Sequence, residues 1–192
     1  MSTRNDYTVE EWEAIRRAPA EAVIAIEQAS PSGPWGRRKE RKAAERGFAG
    51  AIAEFSGLEL VDDIVAARDE EGVLLDALRS GGESFTGRAV ETAGRARRAI
   101  LAKGTGAELE AYAAAVLGTA EAVALATREE GERGSTSRAE ALLLARLAGA
   151  LGRRGYESPD SGWIGAGGVQ DMVADSAVLG GIREIPPDSG NG

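Results

Sequence analysis

Ala20-Glu21-Ala22-Val23 recurs one hundred residues later as Ala120-Glu121-Ala122-Val123. Five further positions match at the same offset without a gap: Glu10, Ala14, Arg38, Glu40 and Arg46 pair with Glu110, Ala114, Arg138, Glu140 and Arg146. The stretch 61–66 aligns with 169–174 after an insertion of eight residues. Self-similarity at a fixed offset is typical of repeated structural units that bury a common core. The pattern predicts two related three-helix units packed about a pseudo-twofold axis.

Composition predicts that both units are helical. The 192-residue chain is 43% hydrophobic, but this share consists mainly of Ala, Leu and Val. Good helix formers dominate, and runs that alternate β-branched and polar residues are absent. We expect an all-α bundle of seven to nine helices with one joint core. The expected division is 1–80 for repeat 1, 81–106 for a connecting helix, 107–180 for repeat 2 and 181–192 for a flexible tail.

Local signals predict where helices begin and break. Thr8-x-x-Glu11 and Ser137-x-x-Glu140 have the form of capping boxes, which satisfy free N–H groups at a helix start. Pro19 lacks an N–H donor and is expected to break or kink the first long helix, as Gly118-Thr119 does in the second. The repeated acids Glu21, Glu121, Glu40 and Glu140 are then interpreted as first-turn residues that favour helix starts.

The absence of two residue types excludes several classes of catalytic and metal-binding site. The chain contains no histidine and no cysteine. Missing histidine removes the usual general base near neutral pH, and missing cysteine removes thiolate nucleophiles, disulfides and cysteine zinc sites. A metal would need oxygen ligands alone, which favours Mg²⁺, Ca²⁺ or Mn²⁺. We therefore expect no catalytic residues, no cofactor and a non-enzymatic role.

Charge and hydropathy limit the classes of partner that we expect. The formal net charge is −8, whereas nucleic-acid binding normally needs a basic surface. The N-terminal sequence shows no apolar stretch after a basic region, and no run of eighteen apolar residues occurs. We expect a cytoplasmic, bacterial-type protein with no nucleic-acid partner and no membrane span.

One basic run stands out against the acidic background. Five of the six residues in 37–42 are cations, and Trp35 precedes them in a Gly/Pro-rich segment expected to be a loop. The predicted partner-binding residues are Trp35, Arg37, Arg38, Arg41 and Lys42. Cations in the first turn oppose the helix dipole, so an acidic partner would offset their cost. The alternative is a solvated basic face whose charges pair with nearby acids (Glu45, Asp62 or Asp63). Arg95, Arg97 and Arg98 are expected to extend the patch if the connecting helix lies alongside.

Two other sequence patterns give only weak indications of a metal site or a phosphate-binding loop. Glu21, Glu121, Glu40 and Glu140 would converge across a pseudo-twofold axis in a dimetal bundle, but such bundles also use histidine. The loop 158–168 ends in a glycine-rich segment, yet it lacks the Walker lysine and the Rossmann spacing. No metal site is predicted, and the glycine-rich segment is interpreted as a flexible loop rather than a phosphate-binding loop.

The layout of tandem helical units with a loop between the first two helices resembles the TerB-like tellurite-resistance proteins. Members of that family carry acidic residues in this loop, whereas residues 30–35 contain none, so the resemblance implies no site here. Two functional hypotheses follow from the residues. The first is a non-enzymatic cytoplasmic interaction or assembly module that binds a protein partner or a second copy of itself. The alternative is a helical protein, with or without catalytic activity, that binds a small molecule or an oxygen-ligated metal (Mg²⁺, Ca²⁺ or Mn²⁺).

Overall fold

The described part of the chain folds into helices. The computed structural model describes residues 1–29, 34–53, 55, 57–67, 84–126, 136–153 and 155–156, with side chains in the second range described from residue 38 onward. Within these ranges lie a short 3₁₀ helix (Arg4–Asp6) and six α-helices, with no strand. The α-helices are α1 Val9–Ala29, α2 Pro34–Ala53, α3 Glu59–Ala66, α4 Phe85–Lys103, α5 Gly106–Ala126 and α6 Arg138–Ala150. For the described residues, the all-α prediction is confirmed.

The helix count remains a prediction. Residues 68–80 of the expected repeat 1, residues 157–180 of the expected repeat 2, which include the loop 158–168, and the tail 181–192 all lie outside the described residues. Residues Met1–Ser161 form one compact unit, and the second unit, Gly162–Gly192, is outside the description as well.

Both predicted capping boxes are present. Thr8 Oγ1 accepts a hydrogen bond of 3.2 Å from the Glu11 N–H, while the Thr8 N–H donates to Glu11 Oε2 at 2.7 Å. Ser137 and Glu140 make the same reciprocal pair at 3.2 and 2.8 Å. A third box, which the sequence interpretation missed, joins Thr105 to Glu108 at the start of α5. Reciprocal capping satisfies N–H groups that have no partner within a helix.

The predicted breaks in the two long helices are wrong. α1 continues through Pro19, and α5 continues through Gly118 and Thr119. Proline lacks the N–H that would bond to the Ile15 carbonyl four residues earlier. The buried hydroxyl of Tyr112 donates to that carbonyl at 3.0 Å instead. A partner from α5 therefore helps α1 to tolerate a proline in its interior.

The core lies where α1, α4, α5 and α6 meet. α1 packs mainly along α4 and also against α5, and α6 packs against α4 and α5. Their apolar faces form one cluster that includes Trp12, Ile15, Phe85, Ile100, Tyr112 and Leu144. Burial of this apolar area is the main force holding the bundle together.

α2 packs on α5 at very short range. A Cβ added at Gly47 would lie 2.5 Å from Ala122 Cβ and 2.7 Å from the Gly118 carbonyl oxygen. A Cβ added at Gly118 would lie 3.2 Å from Ala51 Cβ. Glycine at both positions lets the two helix backbones approach more closely than larger residues would allow.

Helix pairing leaves the predicted duplication unconfirmed. A pseudo-twofold relating α1 to α5 and α2 to α6 would make α1 and α6 pack as α2 and α5 do. α2 instead lies along much of α5, whereas α1 and α6 meet over a short stretch. α4, expected to connect two units, is a main packing partner of α1.

Candidate functional site: a basic helix face and a charged cleft

A run of cations projects from the solvent side of α2. Arg38, Lys39, Arg41 and Lys42 are all exposed, and we call them the basic face. Glu40, Ala43, Ala44 and Phe48 are buried on the other side of the same helix. Helical periodicity therefore separates the cations from the side that packs in the protein.

The basic face carries little compensating charge. Arg41 Nε lies 3.9 Å from Glu45 Oε1, an exposed contact that contributes little free energy. Asp63, one of the acids considered as a neutralising partner, accepts a 2.7 Å hydrogen bond from the Arg4 N–H. Within the described ranges, Arg38, Lys39 and Lys42 make no side-chain ion pair. Among the residues that the structure describes, the face is therefore a positive patch with little compensation on an acidic protein.

The helix start differs from the prediction. α2 begins at Pro34, so Trp35 lies in its first turn, and the prediction of a loop at Trp35 is wrong. Proline suits a first helical position, because the N–H it lacks would have no partner there. Arg38, Arg41 and Lys42 consequently lie beyond the first turn, where the helix dipole has little effect. The side chains of Trp35 and Arg37 lie outside the described part of the structure.

The four repeated carboxylates occupy unlike environments. Glu140 caps α6, as expected, but Glu21 and Glu121 lie inside continuous helices and Glu40 is the seventh residue of α2. The first-turn interpretation is therefore wrong for the latter three. Among the described residues, no three Asp or Glu side chains form a group able to hold a metal ion.

A cleft of about 420 Å³ lies between α1 and α4. The charged residues lining it are Glu10, Glu13, Arg17, Glu21, Arg88, Glu91 and Arg95. A neighbouring hollow of about 320 Å³ shares Glu10 and Arg95 with it and adds Arg98. Arg95 and Arg98, expected to extend the basic run, thus line a separate cleft beside α1, and Arg97 is half-buried next to Gly152.

Glu21 is the buried charge of this cleft. Its side chain is 1% exposed, and its Oε1 accepts a hydrogen bond from Arg88 Nε at 3.1 Å. The Nε atom of Arg17 lies 3.3 Å from the same oxygen. Oε2 is buried without a hydrogen-bond partner among the described residues. Two guanidinium groups therefore share one oxygen of the Glu21 carboxylate.

Sequence reasoning missed this cleft for an identifiable reason. Because Pro19 was expected to break α1, Glu21 was interpreted as a first-turn residue of a new helix. A first-turn residue is not expected to be buried in the interior of the bundle. One signal was available: Arg88 and Arg95 are seven residues apart, which places them on one face of a helix. That spacing alone did not show that α1 lies opposite.

The pKa values of two carboxyl groups on α5, those of Glu108 and Glu121, are shifted in opposite directions. Burial raises the pKa of Glu121, whose carboxylate accepts a hydrogen bond from the Tyr156 hydroxyl. Burial acts to raise the pKa of Glu108 too, but the Ser2 and Thr105 N–H groups outweigh it and hold the pKa below its ordinary value. Hydrogen bonds from N–H donors stabilise the ionised carboxylate, whereas desolvation opposes it.

Among the described helices, α5 alone is long and apolar enough to cross a bilayer. The mean hydropathy of its most apolar stretch is 1.4, and 56% of that stretch is buried inside the protein. A central helix of a bundle has this composition because it is surrounded by other helices.

No family model, no curated protein and no solved structure matches this chain. The resemblance in layout to the TerB-like proteins gains no support from these comparisons.

Proposed function

We propose that the protein is a non-enzymatic cytoplasmic interaction module that docks an acidic segment of a protein partner on the basic face of α2. The observation behind this proposal is the exposure of Arg38, Lys39, Arg41 and Lys42, for which the described part of the chain offers a single compensating contact of 3.9 Å, from Arg41 to Glu45. The chain's formal net charge is −8, so this cluster opposes the average charge of the molecule.

Such a charge arrangement favours one orientation of approach. A positive patch on a negative body attracts an acidic segment while the remaining surface repels it. The same net charge disfavours nucleic acid, whose phosphates would be repelled everywhere except at the patch. The long arginine and lysine side chains would also contribute their aliphatic stems to the contact.

Charge reversal with a matched control tests this function. Arg38→Glu with Arg41→Glu cancels the positive charge of the basic face, and Arg138→Glu with Arg146→Glu makes the same change in net charge at exposed positions of α6. Tagged native protein and both variants are used for affinity capture from the source cells over a series of salt concentrations. We expect the α2 variant to lose partners that the native protein and the α6 variant retain.

Equal retention by all three proteins at every salt concentration would show that the basic face is only a solvated surface. Melting temperatures and circular dichroism of the variants confirm that each is folded, because exposed substitutions usually change stability little. A second copy of the chain as the partner is tested in the same samples by light scattering.

The alternative of a small-molecule binding protein rests on a separate observation, the α1–α4 cleft. Its oxygen-ligated metal form has no comparable observation behind it in the described ranges. Titration with Mg²⁺, Ca²⁺ or Mn²⁺ while the melting temperature is followed tests that form, since a bound ion raises the melting temperature.

A further inference from the structure

We propose that the acidic segment docked on α2 is an α-helix of another protein whose acidic residues recur at every fourth position. This assignment rests on the proposed function, to which it adds a conformation and a spacing for the segment. It follows from one feature of α2: the exposed cations Arg38, Lys42 and Arg46 are four residues apart, and we call them the basic row. The row shares two residues with the basic face and extends it toward the C-terminal end of α2.

Residues four apart form a ridge on the surface of a helix. Successive members of the basic row are therefore separated by about 6 Å along α2, and its two ends by about 12 Å. Lys39 and Arg41 lie about a quarter of a turn to either side of this ridge, because each residue is turned by about 100° from the one before it. The row is thus a line of three cations that runs between the other two cations of the basic face.

The charges of the basic row are available to a partner. Arg38, Lys42 and Arg46 make no ion pair within the described ranges. Arg46 Nε donates a hydrogen bond of 3.2 Å to the Lys42 carbonyl oxygen, which holds this side chain along the row. The two terminal nitrogens of the guanidinium keep their N–H donors, whose planar arrangement suits a carboxylate.

A helical partner suits this row better than an extended one. Side chains four apart on a second helix also follow one another at about 6 Å, so three such acids meet the three cations in register. A helix satisfies its own backbone hydrogen bonds, whereas an extended segment commonly docks by pairing with the edge of a sheet. The described residues contain no strand that would provide such an edge.

The same side of α2 leaves room for a second helix beyond the cations. Ala49, Gly50 and Ala53 are exposed and continue this side to the end of α2. A Cβ added at Gly50 would meet nothing within 4 Å, so the surface at this point is open. Short side chains let another helix come close, while the longer cations of the row reach its acids.

The acids of the described helices do not match the row. None of these helices carries three acidic residues at successive intervals of four. The longest such series is the pair Glu59 and Asp63 on the eight-residue helix α3, and Asp63 already accepts a hydrogen bond from the Arg4 N–H. The described part of a second copy therefore offers no complementary ridge, which assigns the partner helix to another protein.

Peptides of defined conformation test the spacing. The probe is an alanine-based peptide with glutamate at positions i, i+4 and i+8, held helical by a hydrocarbon staple on its opposite side. One comparison peptide has the same composition and staple but glutamates dispersed around the helix. Another keeps the probe's glutamate spacing but has a central proline and no staple, so that it does not form a continuous helix. NMR titration of the full chain at about 0.15 M salt should show the probe binding about tenfold more tightly than either comparison peptide.

Two arginines of α2 provide matched variants. Arg46→Gln removes one end of the row, and Arg41→Gln removes the same charge beside the row. Arg46→Gln should weaken binding of the probe by about three- to tenfold, since one of three charge contacts is lost. Arg41→Gln should weaken it by less than about twofold, because charges not in contact are largely screened at this salt concentration. Both residues are exposed, so both variants should keep the native melting temperature within a few degrees.

The possible failures of the helical partner and of the proposed function are distinguishable. Equal affinity for all three peptides would overturn the helical partner but would leave the docking of acidic segments on the basic face intact. An effect of Arg41→Gln as large as that of Arg46→Gln would overturn the basic row in the same way. The absence of binding by every acidic peptide, even at low salt, would contradict both the row and the proposed function.

Discussion

The hydroxyl of Tyr112 donates a 3.0 Å hydrogen bond to the carbonyl oxygen of Ile15, an acceptor that Pro19 leaves without its helical donor. The ring is 1% exposed, so this bond lies in the core. Burial raises the pKa of Tyr112, and the negative charge of Glu21 raises it further, so the hydroxyl keeps its proton and remains a donor. α1 and α5 are thus joined by a polar contact at the point where α1 carries a proline.

Tyr112→Phe should destabilise the protein by about 1–3 kcal/mol, because a buried carbonyl loses its donor. Pro19→Ala restores an N–H four residues after Ile15. In the Pro19→Ala background, Tyr112→Phe should therefore cost less. The measurement is a double-mutant cycle in urea. An equal cost of Tyr112→Phe in both backgrounds would contradict the compensation.

Gly47 and Gly50 form a matched pair on α2. Gly47→Ala should destabilise the protein by about 1–3 kcal/mol, because its Cβ would lie 2.5 Å from Ala122 Cβ and the helices would have to separate. Gly50→Ala meets nothing within 4 Å and should stabilise α2 by about 0.5–1 kcal/mol. Urea denaturation measures both. Equal stabilities of the two variants would refute the close approach of α2 and α5.

Glu108→Gln tests the capping box of α5. The lowered pKa of Glu108 means that its ionised form is favoured in the folded state. Its stabilisation is therefore present above the ordinary pKa of 4.5 and is lost as the pH falls through the lowered value. We expect the variant to be about 1–2 kcal/mol less stable near neutral pH. The difference should narrow in acid; a difference that does not change with pH would disprove the charge-dependent role.

Glu121→Gln should change the stability near neutral pH in the opposite direction from Glu108→Gln. Burial raises the pKa of Glu121, so the folded state holds its proton at pH values where the unfolded chain, with an ordinary pKa of 4.5, has released it. Native stability therefore falls as the pH rises through this window. The glutamine variant should be more stable than the native protein at neutral pH and equally stable in acid. Glu59→Gln, at an exposed position, serves as the control, and a loss of stability in Glu121→Gln at neutral pH would reject this assignment.

Local features of the fold could be predicted because their causes are local. Thr8 and Ser137 begin helices through contacts with Glu11 and Glu140 three residues later, which the sequence displays directly. The burial of Glu21 could not be predicted from nearby residues. Its burial depends on the continuity of α1 through Pro19, and one contact supporting that continuity joins Ile15 to a residue 97 positions away.

Among the helix contacts and the candidate sites too, the features with local causes could be predicted and those that depend on tertiary packing could not. The exposure of Arg38, Arg41 and Lys42 follows from helical periodicity around the buried Phe48. The packing of α2 on α5 depends on the meeting of Gly47 with Gly118, which alternation and composition do not reveal. The α1–α4 cleft was missed for the same reason, because Arg88 and Glu21 come together through tertiary packing.

The distribution of lysines permits a direct test of the docking surface. The chain contains three lysines: Lys39 and Lys42 belong to the basic face, and Lys103 pairs with Glu11 at 2.5 Å elsewhere. A zero-length carbodiimide reagent joins a lysine amine to a carboxylate only when the two are in ion-pair contact. Applied to native complexes and followed by mass spectrometry, it reports which lysine touches an acidic partner.

This crosslinking measurement tests the central claim most directly. An acidic segment docked on α2 predicts intermolecular crosslinks from Lys39 or Lys42 to aspartate or glutamate of the partner, and their loss when Arg38 and Arg41 are changed to glutamate. Intermolecular crosslinks confined to Lys103, or crosslinks at Lys39 and Lys42 that persist unchanged in the charge-reversed protein, would contradict it.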